Sequence, residues 1–162
     1  GGFTMNKKGF TLIELLIVIA IIGIVAAIAI PNLLTALQKG KQKATMGDMK
    51  SIGTAVESYI TDNYFAPGPG SVSQPISTIQ TVLVPFHTKV LTAKDSWGGD
   101  FRYSAGANPG PSQDVYSIIS YGRGTVDSGV AGTSNYLVSA MAHFENDICF
   151  SNGNFTYGPK VK

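Results

Sequence analysis

A single carboxylate, Glu14, draws attention because of where it lies in the sequence. The stretch from Leu15 to Ile30 follows it directly and contains no polar side chain. A carboxylate inside an apolar membrane span costs about 2.5–3.5 kcal/mol even on lenient insertion scales. Glu14 is therefore expected to have a function, and a cation is its expected partner.

The other reactive side chains do not form a catalytic arrangement. His87 and His143 lack the spacing of a zinc-binding motif such as HExxH, and residues 122–125 lack the Gly-Lys-Ser/Thr ending of a phosphate loop. No serine lies in a Gly-x-Ser-x-Gly sequence. Each histidine is expected to be a surface or capping residue, and the chain is predicted not to be an enzyme.

Composition excludes further classes of function. The formal net charge is only +2, which gives no electrostatic reason to expect a nucleic-acid partner. Charged residues make up 14% of the chain, against about 25% in an average soluble domain. Cys149 is the only cysteine, so it cannot form an intramolecular disulfide, and it is expected to be a small buried apolar side chain.

The apolar stretch from Phe10 to Ile30 is long enough to cross a bilayer. As a helix it would span about 31 Å, close to the roughly 30 Å of the hydrocarbon core. A secretory signal has a shorter apolar region followed by a small-residue cut site, and Ile30-Pro31-Asn32 offers none. A plain membrane anchor fits the length but leaves Glu14 unexplained.

A third interpretation explains both the length and the carboxylate. The stretch Gly9-Phe10-Thr11-Leu12-Ile13-Glu14-Leu15 resembles the class III signal sequence of type IV pilins and pseudopilins. The resemblance implies that prepilin peptidase cuts after Gly9 on the cytoplasmic side and that the new N-terminus, Phe10, is methylated. It also implies a basic leader containing Lys7 and Lys8, with Met5 as the expected natural start, and a helix kink at Pro31.

In such a filament, Glu14 of one subunit could pair with the Phe10 amine of a neighbour and set the axial register. Removing one partner of a buried pair typically costs about 3–5 kcal/mol. The cleavage motif places the N-terminus in the cytoplasm, although a count of positive charges does not, because lysines also follow the span. Those lysines are expected to form a solvated helix face, with ion pairs between subunits as the alternative: Lys39, Lys41, Lys43 and Lys50.

The chain as a whole is predicted to form an α+β fold, in which a long N-terminal helix packs on a small C-terminal antiparallel sheet. The predicted divisions are a removed leader at 1–9, a membrane or filament-core helix at 10–30, an amphipathic continuation at 31–63 and a periplasmic sheet region at 64–162. The continuation has apolar residues on one face: Leu34, Leu37, Met49, Ile52, Val56, Tyr59 and Ile60.

Predicted elements beyond the helix follow the glycine and proline signals. Residues 66–75 are predicted to be a loop, with a short helix from Ile76 to before Pro85. The predicted strands are 101–104, 115–121, 147–150 and 155–157, with a hairpin turn at Asn152-Gly153 and a long flexible segment from Gly122 to Ser134.

A second resemblance lies between Lys94 and Gly122. The run Asp95-Ser96-Trp97-Gly98, the strand containing Tyr103 and the run Tyr116 to Gly122 are similar to the major pseudopilin of type II secretion. Trp97 and Tyr103 are expected to be core aromatics, with Gly98 in a turn, and the resemblance implies a calcium loop after Gly122. Gly124 stands where the family has an aspartate, so the site is either lost or rebuilt from other oxygens: Asp127, Ser128, Glu145 and Asp147.

These features predict a pseudopilus subunit of type II secretion, anchored in the bacterial inner membrane and polymerised into a periplasmic filament. Its expected partners are further copies of itself, prepilin peptidase, the inner-membrane assembly platform, minor pseudopilins and, before assembly, membrane lipid. Two alternatives stay open: a type IV pilin of an extracellular filament for adhesion, motility or DNA uptake, and a membrane-anchored binding domain that never polymerises.

Overall fold

A computed structural model describes residues 9–68, 70, 72–106, 110, 113–124 and 138–160. The chain divides into two compact units, Gly1–Leu37 and Gln38–Lys162, which we call the apolar unit and the folded unit. The helix α1, Leu12–Asn63, contributes to both. It ends at the predicted residue and begins two residues after the predicted start.

The described residues of the apolar unit, 9–37, expose nearly all their side chains. Its part of α1 is apolar around the whole helix, and the large side chains from Leu12 to Leu37 are 45–88% exposed. This segment is the one described helix that is long and apolar enough to cross a membrane. A helix that is apolar on all sides requires an apolar environment, which membrane lipid or neighbouring helices would supply.

The folded unit contains a five-stranded antiparallel sheet in the simple order β1-β2-β3-β4-β5. The strands are β1 Gln74–Pro75, β2 Arg102–Ala105, β3 Tyr116–Ser120, β4 Ile148–Ser151 and β5 Asn154–Tyr157. Short 3₁₀ segments lie at Ile76–Ile79, Gly122–Gly124 and Met141–Glu145, and helix α2 spans Gln80–Leu83. The predicted α+β fold is confirmed.

The core lies between α1 and one face of the sheet. Met49, Ile52 and Val56 of α1 are buried, as their three- and four-residue spacing predicts, and Tyr59 and Ile60 pack partly against them. Strands β2 to β4 supply alternate residues to the same core: Tyr103, Ala105, Tyr116, Ile118, Ile148 and Phe150. Leu34 and Leu37, predicted on the same helical face, belong to the apolar unit and are about half exposed.

Two predictions about loops need correction. Residues 66–75 are not loop throughout, because Gln74–Pro75 pairs with β2 as an edge strand, where a proline is tolerated. Residues 122–124 form a 3₁₀ turn rather than the start of a flexible segment, and the remainder of that predicted segment lies outside the described residues. The predicted hairpin turn is present, with positive φ at both Asn152 and Gly153, as a type I′ turn requires.

Candidate functional site

The start of α1 is closed by a reciprocal hydrogen-bond arrangement between Thr11 and Glu14. The backbone N–H and the hydroxyl of Thr11 donate to Glu14 Oε2 at 2.8 and 2.7 Å. The Glu14 backbone N–H donates to Thr11 Oγ1 at 3.3 Å. This is a capping box, which satisfies N–H groups that a helix start otherwise leaves without partners.

The capping box gives Glu14 a role within a single chain. Two donors of Thr11 stabilise the carboxylate without any contribution from a second subunit. The sequence carried the signal, since a threonine followed three residues later by a glutamate precedes an apolar run. Pairing with a neighbour's amine stays a prediction.

The predicted cleavage point lies outside the helix. Gly9 and Phe10 precede Leu12, have no helical structure and are exposed, and the Phe10 side chain is 81% exposed. The Gly9–Phe10 bond therefore lies outside α1 and is not covered by other described residues. Cleavage and methylation themselves stay predictions.

Pro31 lies inside α1, which is helical on both sides of it. A proline has no N–H, so the helix lacks the hydrogen bond that residue 31 would otherwise donate to residue 27. The carbonyl of Pro31 itself accepts the Thr35 hydroxyl at 3.0 Å. The helix continues through this position, and a bend there stays a prediction.

A buried aspartate organises the turn that carries the tryptophan. Asp95 is only 7% exposed, and its Oδ1 accepts the backbone N–H groups of Trp97 at 3.0 Å and Gly99 at 2.8 Å. Its Oδ2 accepts the Ser120 hydroxyl at 2.7 Å, and Ser120 Oγ in turn accepts the Gly122 N–H at 3.2 Å. Asp95 thus joins the turn to the end of β3.

The same turn is attached to α1. The Ser96 N–H donates to Thr45 Oγ1 at 3.1 Å, and the Trp97 indole N–H donates to Gln38 Oε1 at 2.7 Å. Of the two predicted core aromatics, Tyr103 is buried, whereas Trp97 is only half-buried and its indole N–H is hydrogen-bonded to a polar side chain. The turn therefore joins helix and sheet through polar contacts.

The predicted calcium ligands are only partly within the described residues. Asp127 and Ser128 lie outside them, Asp147 is 7% exposed, and Glu145 forms an ion pair with Arg123. Among the described residues, no three histidine, cysteine or acidic side chains gather as a metal site would require. The turn at Gly122 is tight: its φ is +63°, and a Cβ there would lie 2.6 Å from the Phe144 carbonyl oxygen.

His87, predicted to be a surface or capping residue, lies against α1 with little of its side chain exposed. Its side chain is 10% exposed and packs edge-on against the Tyr59 ring, with centroids 5.3 Å apart. Ser58 Oγ lies 3.1 Å and Asp62 Oδ2 3.8 Å from the same atom, His87 Nδ1. A hydrolytic triad needs the serine and the acid on opposite ring nitrogens, so this group is not one. His143 does act locally, as its Nδ1 accepts the Ser139 N–H at 3.1 Å.

Cys149 is a free thiol on β4 and is half-buried rather than buried. Burial alternates along β4, with Ile148 and Phe150 in the core, so Cys149 lies on the face of the sheet opposite the core. The expectation of a buried apolar side chain is therefore met only in part.

A long helix with an exposed apolar first half, packed through its second half on an antiparallel sheet, defines a pilin-like protein. Two families match this chain: residues 2–30 match the prokaryotic N-terminal methylation motif, and residues 32–137 match the type II secretion system protein G. The chain belongs to the type II secretion system protein G family. No solved structure matches it.

Curated relatives agree with this family. The type II secretion system core protein G of Pseudomonas aeruginosa is 32% identical over 125 residues, covering 73% of this chain and 87% of the relative. Its counterpart in Escherichia coli K12 is 30% identical over 127 residues, covering 74% and 83%. The type IV major pilin protein PilA of Myxococcus xanthus is 47% identical, but over only 60 residues, 37% of this chain and 27% of the pilin.

Proposed function

We propose that this chain is the structural subunit of a pseudopilus filament in type II protein secretion. It is made with a leader that prepilin peptidase removes after Gly9, is held in the inner membrane by the apolar part of α1 and then joins a periplasmic filament. The observation that carries the proposal is the exposed apolar part of α1, which begins at Leu12, just after the predicted cleavage point, and is not covered by other described residues. The chain acts by assembling with copies of itself and with the secretion machinery, and its proposed role is structural.

The extent of the similarity to relatives of each class favours a role in secretion over a role in a pilus. Relatives named as core protein G are similar over most of their length, including the folded unit. The pilin of Myxococcus xanthus is similar to this chain over only about a third of its length. The processing and polymerisation segment is common to both classes, so the folded unit distinguishes them.

The capping box refines the proposed role of Glu14. Before assembly the carboxylate caps α1 through Thr11, and in the filament we propose that it also meets the methylated amine of Phe10 from a neighbouring subunit. A carboxylate has more acceptor sites than Thr11 uses. Thr11 would thus hold the Glu14 side chain in a fixed direction before the neighbour arrives.

Substituting Glu14 tests this role. Glu14→Val should still insert in the membrane but should lower filament yield by about tenfold or more, because an amine buried without its counter-ion is costly. Glu14→Gln is the matched control that keeps an acceptor for Thr11 but removes the charge, and it should assemble nearly as poorly. Filaments at parental yield from Glu14→Gln, with no parental subunit present, would show that the charge is not needed.

A calcium ion bound by Asp127 and Asp147 is a second proposal for this chain. It is independent of assembly through α1. What supports it is the family resemblance after Gly122 and the burial of Asp147. What weighs against it is Gly124 and the ion pair that already engages Glu145.

A further inference from the structure

Three lysines follow the apolar unit closely: Lys39, Lys41 and Lys43. Lys39 comes two residues after Leu37, where the apolar unit ends. Lys39 and Lys43 are exposed and Lys41 is half-buried. We call these three residues the lysine band.

The lysine band has no acidic partner within the described chain. The ion pairs among described residues join His87 to Asp62, Lys94 to Asp100 and Arg123 to Glu145. No aspartate or glutamate occurs in the sequence between Glu14 and Asp48. A charge of +3 is therefore concentrated over five residues without local compensation.

The position of the band runs against the usual charge rule for membrane proteins. Lysine and arginine are normally enriched on the cytoplasmic side of a span. With the N-terminus in the cytoplasm, as the proposed function requires, the lysine band lies on the opposite side. Because such a cluster opposes correct insertion, we expect it to make a favourable interaction after insertion.

We propose that the lysine band binds the phosphate groups of anionic lipids in the outer-facing leaflet and holds the unassembled subunit against that surface. This inference rests on the proposed membrane anchoring. The exposed apolar part of α1 extends past Ile30 to Leu37 and is about 39 Å long, so it tilts to stay within the hydrocarbon core. Along the axis of this tilted helix, Leu37 to Lys43 is a further six residues, or about 9 Å. The headgroup layer on each side of the hydrocarbon core is about 5–8 Å thick, so lysines in this interval reach it.

A second copy of the chain is a weaker candidate for the same contact. Neighbouring subunits whose α1 helices run parallel with a small axial shift bring similar segments together, so a lysine band would face another lysine band. Like charges close together repel. An anionic headgroup surface instead attracts the band, and each lysine near it favours binding by about fivefold.

The test uses the mature full-length chain in nanodiscs that contain phosphatidylglycerol and phosphatidylcholine, with native mass spectrometry to count the lipids retained. The test variant is Lys39→Gln/Lys41→Gln/Lys43→Gln. The matched control is Lys89→Gln/Lys94→Gln/Lys160→Gln, which removes the same charge from exposed positions in the rest of the folded unit.

The parent and the control should retain phosphatidylglycerol preferentially, and the test variant should lose most of that preference, by about fivefold for each lysine at low salt. The preference of the parent should weaken as salt rises from about 0.01 to 0.15 M, because the Debye length falls from about 30 to about 8 Å. Equal retention of both lipids by the parent, or equal losses in both triple variants, would overturn the proposal.

Filament yield in cells distinguishes a contact with a second copy of the chain from a contact with lipid. If the test variant keeps its lipid preference but no longer assembles, the band contacts another subunit and the lipid proposal is wrong. Cleavage after Gly9 and filament formation by the parent are measured in the same cells. Failure of either in the parent would contradict the proposed function, whereas a normal parent with no lipid preference contradicts the lipid contact alone.

Discussion

The apolar unit and the folded unit differ in how much of their apolar side-chain surface is buried. The folded unit covers its own apolar side chains, and residues such as Met49, Val56 and Ile118 are completely buried. The apolar unit leaves side chains such as Leu12 and Leu33 more than two-thirds exposed. The folded unit is thus built to be stable in water, whereas the apolar unit depends on lipid or on other copies of the chain.

Polar groups are also used differently in the two units. In the apolar unit, the described polar contacts near the start of α1 come from the pair Thr11 and Glu14. In the folded unit, Asp95 and Ser120 connect turn and strand through buried hydrogen bonds. Substitutions in the folded unit should therefore change its stability, and substitutions in the apolar unit should change assembly.

The largest effect on stability is expected at Asp95. Asp95→Ala removes the acceptor of two backbone N–H groups and of the Ser120 hydroxyl, and should lower the free energy of unfolding by about 2–4 kcal/mol. Asp95→Asn keeps one oxygen acceptor and should cost less. Denaturant unfolding of the full-length chain in detergent, followed by Trp97 fluorescence, measures both. A loss no greater than that of Asp100→Asn, an exposed control, would contradict this role for Asp95.

Two glycines of α1 should respond in opposite directions to the same substitution. A Cβ at Gly53 would overlap a ring carbon of Phe150, so Gly53→Ala should destabilise the folded unit by about 1–3 kcal/mol through overpacking. Gly47 has nothing within 4 Å, and Gly47→Ala should stabilise it by up to about 1 kcal/mol. Thermal melting of the two variants side by side tests the close approach of α1 and β4; the same sign for both would refute it.

A smaller contrast is expected between two buried tyrosines. The Tyr116 hydroxyl donates to Glu57 Oε1 at 2.8 Å, whereas the Tyr103 hydroxyl has no hydrogen-bond partner among the described residues. Burial raises the pKa of both phenols, so both hydroxyls are protonated at physiological pH. Tyr116→Phe should cost about 1 kcal/mol, and Tyr103→Phe should be neutral or stabilising. Unfolding curves that rank the two variants the other way would contradict this assignment.

The smallest effect is expected from calcium. Because Gly124 supplies no side-chain oxygen and Glu145 is engaged by Arg123, we expect the melting temperature of the full-length chain to be the same with millimolar calcium and with chelator. A rise with calcium that disappears in Asp127→Ala or Asp147→Ala would show instead that the site has been rebuilt.

Periodic patterns in the sequence predicted most of the fold. The helix end at Asn63, the hairpin at Asn152-Gly153 and strands β2 to β5 follow from local signals that need no tertiary information. The edge strand β1 was missed because two residues, one of them a proline, carry no pattern. Only its partner Arg102–Ala105 makes it a strand.

The candidate site was less fully predictable. The motif around Gly9 and Glu14 could be identified from its spacing, whereas the contacts of His87 and Trp97 join residues 29 and 59 positions apart. Sequence patterns do not report such pairs. The close approach at Gly53 is hidden for the same reason, since a helical glycine by itself indicates only a weaker helix.

After cleavage, the apolar part of α1 is proposed to stay attached to the folded unit and to become the part through which subunits assemble. The most direct test is intact-mass and N-terminal analysis of the chain recovered from the membrane and filament fractions of cells. We predict a mature chain that begins with methylated Phe10 and retains the whole of α1. A mature chain that begins after Ile30 would mean that the apolar segment is an ordinary signal peptide, and it would contradict the account.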